Sequence, residues 1–258
     1  MAFKLCAACG CSIGKIRTNN EDNFFFDGKI MPESNSGLKK PVTAETELKS
    51  FISFGVFDGM GGEDFGETAS FTAAHTYKQE AKLLEDYVIP EKQFLRAACE
   101  KMNLAVFEAA QKLGTAYMGT TAVLALFGPR QVYVCNLGDS RAYRLRGGEF
   151  MQLSKDDTDL AAMLERGIVD HKPRLTQNLG IDPEELLLEP HISKGELRKG
   201  DVYLLCSDGL TDMLDNFEIC DHLMKALDPE QAVNALMRAA LEKGGRDNIT
   251  LIICRVEE

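Results

Sequence analysis

Apolar residues along the chain fall mostly into short runs bounded by glycine, proline and polar clusters, the signature of strands separated by turns. Phe3–Ala8 and Phe24–Asp27 read as strands flanking the polar stretch R-T-N-N-E-D. Residues 31–46, rich in Pro, Ser, Asn, Gly and Lys, read as an exposed loop. S-F-I-S-F-G-V-F then runs apolar into D-G-M-G-G, a strand ending in a glycine-rich turn. Two helices are predicted next, Glu67–Leu84 and Glu91–Leu113. In the second, Phe94, Ala98, Met102, Ala105 and Ala109 recur on one helix face.

A series of strands follows: T-A-V-L-A-L-F, Q-V-Y-V-C-N-L, R-A-Y-R-L-R and E-F-M-Q-L. The links G-P-R, G-D-S and Gly147-Gly148 are too short for a parallel crossover, so antiparallel neighbours are expected throughout. Asp156–Arg166 reads as a short helix within a flap-like, irregular segment 156–186. D-V-Y-L-L-C-S is a further strand. Asp228-Pro229 caps and starts a helix through Leu241, and I-T-L-I-I-C-R-V is the last strand. Strands and helices are segregated along the chain, which predicts an α+β fold.

The 258 residues read as a single domain, 1–258, with ordinary apolar content. A formal net charge of -11 argues against nucleic-acid binding, which needs a basic surface. The opening M-A-F-K-L-C-A-A-C-G-C turns polar too soon for a secretion signal, and no apolar run reaches membrane-span length, so a cytoplasmic location is expected. Most of the eight cysteines lie in apolar strands, as buried thiols do. Cys6, Cys9 and Cys11 have the spacing C-x-x-C-x-C, but no second pair follows nearby, and core packing is the expectation.

The chemistry lies in the acids. Asp58, Asp208 and Asp247 each stand at a strand end beside turn-forming residues, on rigid backbone at a sheet rim. Gathered carboxylates repel one another unless cations neutralise them, and oxygen-only ligands suit Mg or Mn. Gly59, following Asp58, can bring a backbone carbonyl to the same ion. Arg17 offers a planar fork of donors for phosphate, and Glu21 and Asp22 can hold metal-bound waters. His75, His171, His191 and His222 have no recurring partner, so serine and cysteine nucleophile chemistry is not expected.

Six segments, in order from Gly14 to Thr250, resemble the metal-dependent Ser/Thr protein phosphatases of the PPM (type 2C) family, especially its compact bacterial members. They are R-T-N-N-E-D, D-G-M-G-G-E-D-F-G-E-T-A-S, M-G-T-T-A-V, N-L-G-D-S-R-A-Y, S-D-G-L-T-D and G-G-R-D-N-I-T. The resemblance implies a four-layer α/β/β/α sandwich of two antiparallel sheets flanked by helices. It implies two Mn or Mg ions, with Asp58 bridging, the Gly59 carbonyl on one and Asp208 and Asp247 on the other. Glu21, Asp22 and Asn248 would support them, largely through water, and Arg17 would bind phosphate. Asp139 would be a buried structural residue. The implied reaction is hydrolysis of phosphoserine and phosphothreonine in proteins by a metal-bridging hydroxide, without a phosphoenzyme, opposing a bacterial Ser/Thr kinase. The chain is expected to act as a monomer, and a catalytically inactive binding or sensing module is the alternative. Three departures stand out, one of them a segment Asp156–Gly180 shorter than the family's usual bacterial flap. Ala116 replaces a carboxylate that serves a third metal in the family, and Met60 replaces a histidine that animal relatives carry as candidate general acid.

Overall fold

The computed structural model describes residues 2–60, 65–85, 89–115, 117–168 and 171–258. Strands β1 (Lys4–Ser12) and β12 (Ile249–Glu257) are largely buried on both faces and pair antiparallel along their whole length, Lys4 opposite Glu257 and Ser12 opposite Ile249. Strands apolar on both faces need cover on each side. They are central in one sheet, ordered β3 (Val42–Glu47), β1, β12, β11 (Val202–Cys206), β8 (Arg141–Arg146) and β9 (Glu149–Gln152). The other sheet runs β10 (His191–Glu196), β7 (Gln131–Leu137), β6 (Ala122–Phe127), β4 (Ile52–Met60) and β2 (Asp22–Phe25), with β5 (Gly119–Thr120) paired to the end of β4. Every pairing is antiparallel.

The sheets pack face to face over Leu5, Cys9, Phe54, Phe127, Tyr203 and Ile252. Phe127 meets Tyr203 edge to face, ring centroids 5.2 Å apart, across this interface. Helices α1 (Gly66–Ala81) and α2 (Glu91–Leu113) cover the second sheet through Tyr77, Phe94 and Met102 on Phe57 and Leu124. Helix α3 (Leu160–Glu165) is short. Helices α4 (Asp208–Thr211), α5 (Asn216–Lys225) and α6 (Pro229–Glu242) cover the first sheet through Leu210, Ile219 and Leu236. The architecture is therefore the expected α/β/β/α sandwich. Helix α6 starts as its sequence predicts: the Asp228 side chain accepts from the Gln231 N–H at 2.8 Å and Pro229 opens the first turn.

Four readings need correction. Residues 31–46 are not one exposed loop. Met31 is buried, held by hydrogen bonds in both directions with the Asn23 side chain, and Val42–Glu47 pair with β1 as an edge strand. Its outward face is solvated, so its polar residues disguised it. The G-D-S link does not join paired neighbours either. β7 and β8 lie in different sheets, and Gly138, at φ 94°, turns the chain from one to the other. The short helix within 156–186 covers only Leu160–Glu165. The expected α2 face drifts from Ala105 and Ala109 to Val106 and Ala110, which are the buried ones. β10 and α5 had no expectation attached.

The cysteine spacing is settled by strand geometry. Alternation along β1 puts Cys9 and Cys11 in the core between the sheets and Cys6 on the opposite side. All eight cysteines are free thiols. Among the described residues no helix is long and apolar enough to cross a membrane.

Candidate functional site

Asp58 sits near the end of β4, where the backbone is tightly held. Its N–H donates to Thr121 Oγ1 at 3.1 Å, and its carbonyl accepts from the Thr121 N–H at 2.8 Å and the Thr120 hydroxyl at 2.9 Å. The Gly59 N–H donates to the Glu21 carbonyl at 3.0 Å. A Cβ on Gly59 would stand 2.0 Å from the Gly66 carbonyl oxygen and 2.6 Å from that of Glu21, so only glycine lets α1 start this close to the strand. The second D-G pair follows the same rule. Asp208 begins α4 directly after β11, and a Cβ on Gly209 would fall 1.9 Å from the Asn248 carbonyl oxygen. Asp247 precedes β12 and accepts from the Asn248 N–H at 2.8 Å. The Asn248 side chain accepts from the Glu21 N–H at 2.7 Å and donates to the carbonyls of Ile13 and Asn19. It ties the loop carrying Arg17 and Glu21 to the start of β12.

These elements enclose a cavity of about 290 Å³ whose walls include Arg17, Glu21, Asp58, Gly59, Met60, Thr121, Asp139, Lys172, Asp208 and Asp247. Six of the eight residues singled out from the sequence thus meet around one space. Asp22 and Asn248 do not line it. Asp22 is buried opposite Asp58 in the β2–β4 pair and accepts from the Ser207 hydroxyl at 2.7 Å, while the Thr250 N–H donates to Ser207 Oγ at 3.0 Å. It therefore positions the residue before Asp208. Asp139, expected as a buried structural residue, is half-buried and lines the cavity. The crossing of G-D-S between sheets brings it there, which no local pattern signals. Lys172 was also unforeseen. Its ammonium donates to Asp208 and, at 3.0 Å, to Asp212. None of the four histidines lines the cavity.

The electrostatics are those of crowded acids. Burial pushes Asp58 well above the usual carboxylate range, and the charges of Asp208, Asp22, Asp139 and Asp247 push the same way. Burial, with the Asp208 charge adding, takes Asp139 up to about 6. Burial takes Asp22 up to about 7 although the Ser207 and Thr250 hydrogen bonds oppose it. Glu21 is raised by burial against the pull of Arg17. The Arg17 guanidinium donates to Asp247 Oδ2 at 2.7 Å.

Among the described residues, no three His, Cys, Asp or Glu side chains converge as they stand into a ready metal cage. Asp247 is turned to Arg17 and Asp208 to Lys172. The donor set nonetheless fits a hard divalent cation: five carboxylates face one cavity without histidine or cysteine, and the hydrogen bonds of the described residues include none to the Asp58 carboxylate. Ala116, at the expected third-metal position, lies outside the described residues.

Two antiparallel sheets between helix layers, with an oxygen-only acidic rim, define the class of metal-dependent protein phosphatases. A family profile described as Protein phosphatase 2C matches residues 44–243. The chain is similar to the serine/threonine protein phosphatase PstP of Mycobacterium tuberculosis, 30% identical over 253 residues, covering 94% of this chain and 43% of PstP. The chain thus spans under half the length of that relative. It is 29% identical over 253 residues to the serine/threonine phosphatase stp of Listeria welshimeri, covering 93% of this chain and 91% of that protein. The crystal structure of the PstP catalytic domain in complex with two manganese ions superposes with a TM-score of 0.77 at 28% identity, covering 99% of this chain and 100% of that one. The chain belongs to the protein phosphatase 2C family.

Proposed function

We propose that this chain hydrolyses phosphoserine and phosphothreonine in protein substrates, using two Mn or Mg ions, and that it opposes a Ser/Thr kinase. One observation carries the reading: Glu21, Asp58, Asp139, Asp208 and Asp247 face a single cavity together with the guanidinium of Arg17. The two manganese ions in the related PstP domain support a two-ion site.

In this reading Asp58, Asp208, Asp247 and the Gly59 carbonyl hold the ions. Bound there, divalent cations supply positive charge that polarises the phosphoryl group and lowers the pKa of an attacking water. Asp58 lies at the end of a strand whose backbone is fixed by Thr120 and Thr121, which holds the base of its side chain at the cavity wall. Arg17 holds the substrate phosphate through paired N–H donors, and in doing so leaves Asp247. Asp22 and Asn248 act one step back, through Ser207 and the Glu21 backbone. Met60, beside Asp58, offers no proton to a leaving alkoxide. Substrates with acidic leaving groups, such as p-nitrophenyl phosphate, are therefore expected to outpace alkyl phosphates.

The deciding experiment is phosphate release from a phosphothreonine peptide with Mn, with Mg and with chelator. Turnover with metal and none with chelator is expected. Binding of the peptide without release would make the chain a recognition module instead.

A further inference from the structure

A second opening adjoins the carboxylate cavity, and Met60 lines both. It is a groove of about 670 Å³ between the C-terminal half of α2, the segment before β5 and the chain after Gly180. Its floor is built, not loose. Asn103 of α2, itself buried, accepts from the N–H groups of Gly180 and Ile181 at 2.8 and 3.0 Å and donates to the Ile181 carbonyl at 2.8 Å. Thr120 and Leu179 exchange backbone hydrogen bonds at 3.1 and 2.8 Å.

The walls have a definite chemistry. Met60, Phe107 and Ile181 are apolar, and Tyr117 stands 82% exposed at the side. Among the described residues, the charged ones lining the groove are Asp182 and Glu185, none is basic, and neither acid forms an ion pair with another described residue. A turn holds them in place: Asp182 Oδ1 accepts from the Glu184 N–H at 2.9 Å and its carbonyl from the Glu185 N–H at 3.1 Å.

We propose that this groove is the docking surface for the peptide flanking the phosphorylated residue, and that it selects phosphosites with a lysine or arginine nearby. The proposal rests on the phosphatase reading. Continuity through Met60 fixes the occupant: a chain whose phosphate lies against Arg17 passes over Met60 into the groove. Charge fixes the preference, because unneutralised carboxylates attract a basic flank and repel an acidic one. Tyr117 gives the peptide an amphipathic wall.

The test uses phosphothreonine peptides identical except for Arg, Ala or Glu within four residues on either side of the phosphothreonine. p-Nitrophenyl phosphate, too small to reach the groove, is the control. Exposed ion pairs change kcat/KM by up to about fivefold each, so a basic-over-acidic ratio of roughly 10 is expected, rising at low salt. In the double variant Asp182→Asn, Glu185→Gln the ratio falls toward one while p-nitrophenyl phosphate turnover stays unchanged; Asn keeps the acceptor that the turn needs. Tyr117→Ala lowers kcat/KM on all the peptides and spares the small substrate. A wild-type ratio of one, or a ratio that survives the double variant, overturns the groove assignment. Absence of turnover on every substrate overturns the phosphatase reading instead, and fluorescence anisotropy with the same peptides then decides the groove by the same ratios.

Discussion

Asp58 occupies a place unfavourable to a bare carboxylate, half-buried and faced by the charges of Asp208, Asp22, Asp139 and Asp247. Function and stability are therefore opposed at this residue. Asp58→Asn is expected to abolish turnover and yet to raise the melting temperature of chelated protein, by about 2–4 °C per kcal/mol of relieved repulsion. A chelated variant melting below wild type would show that Asp58 is not repelled by its neighbours. Lys172 and Arg17 act as internal counter-ions on Asp208 and Asp247. Because an incoming cation must displace Lys172, Lys172→Ala is expected to tighten Mn binding several-fold by calorimetry; an unchanged Kd would mean that the ion pair is broken without cost. Arg17→Ala is different, since the proposed function assigns its guanidinium to phosphate. Loss of a charge-assisted contact of about 1.5–3 kcal/mol lowers kcat/KM roughly 10- to 150-fold, while Mn affinity does not weaken. Parallel losses in both would make Arg17 part of the scaffold.

At the scale of elements, the site depends on how closely backbone segments approach. The two D-G pairs do more than turn the chain: Gly59 is where α1 presses against the end of β4, and Gly209 is where the Asp247–Asn248 segment presses against the start of α4. Gly59→Ala is expected to destabilise the protein by several kcal/mol, because a Cβ 2.0 Å from a backbone oxygen cannot be accommodated by a side-chain rotation. Gly195→Ala in β10 is the matched control: its Cβ would lie 3.7 Å from Val132 Cγ1, an ordinary contact, and stability should change by less than about 1 kcal/mol. Thermal or urea unfolding of the two variants checks this, and equal effects would contradict the close-approach reading. Asn248 and the Asp22–Ser207 pair belong to the same scale, since each fixes one element against another without lining the cavity.

Across the whole molecule, the cavity lies at a rim shared by both sheets. Asp58 comes from the sheet covered by α1 and α2; Asp208 and Asp247 flank strands of the sheet covered by α4, α5 and α6. Ions held between them, as the proposed function has it, would join the halves of the sandwich and bind only the folded state. Mn is thus expected to raise the melting temperature in a saturable way, with about 2.7 kcal/mol of stabilisation at a hundred times Kd. Differential scanning fluorimetry against Mn concentration measures this. The rise should vanish in Asp58→Asn, and a rise of equal size in that variant would place the ions elsewhere.

Much of this protein was readable before any coordinates. The apolar run I-T-L-I-I-C-R-V reads as a strand, the spacing in Glu91–Leu113 as a packed helix, and Asp228-Pro229 as a local start signal; all three depend on neighbours a few residues away. The acids at strand ends were readable for the same reason, since a strand end is a local feature. Tertiary structure decided whatever depends on distant partners. Val42–Glu47 is a strand only because β1 offers it an edge, and G-D-S crosses between sheets only because β7 and β8 find partners in different ones. Asp139 reaches the cavity through that crossing, and Lys172 reaches Asp208 from 36 residues away. Hydrogen-bond pairing and charge attraction at that range leave no periodic trace in a sequence. The other acids and the arginine that face the cavity could be named from their own surroundings, whereas Asp139 and Lys172, brought to it by distant pairings, became visible only once the chain was folded.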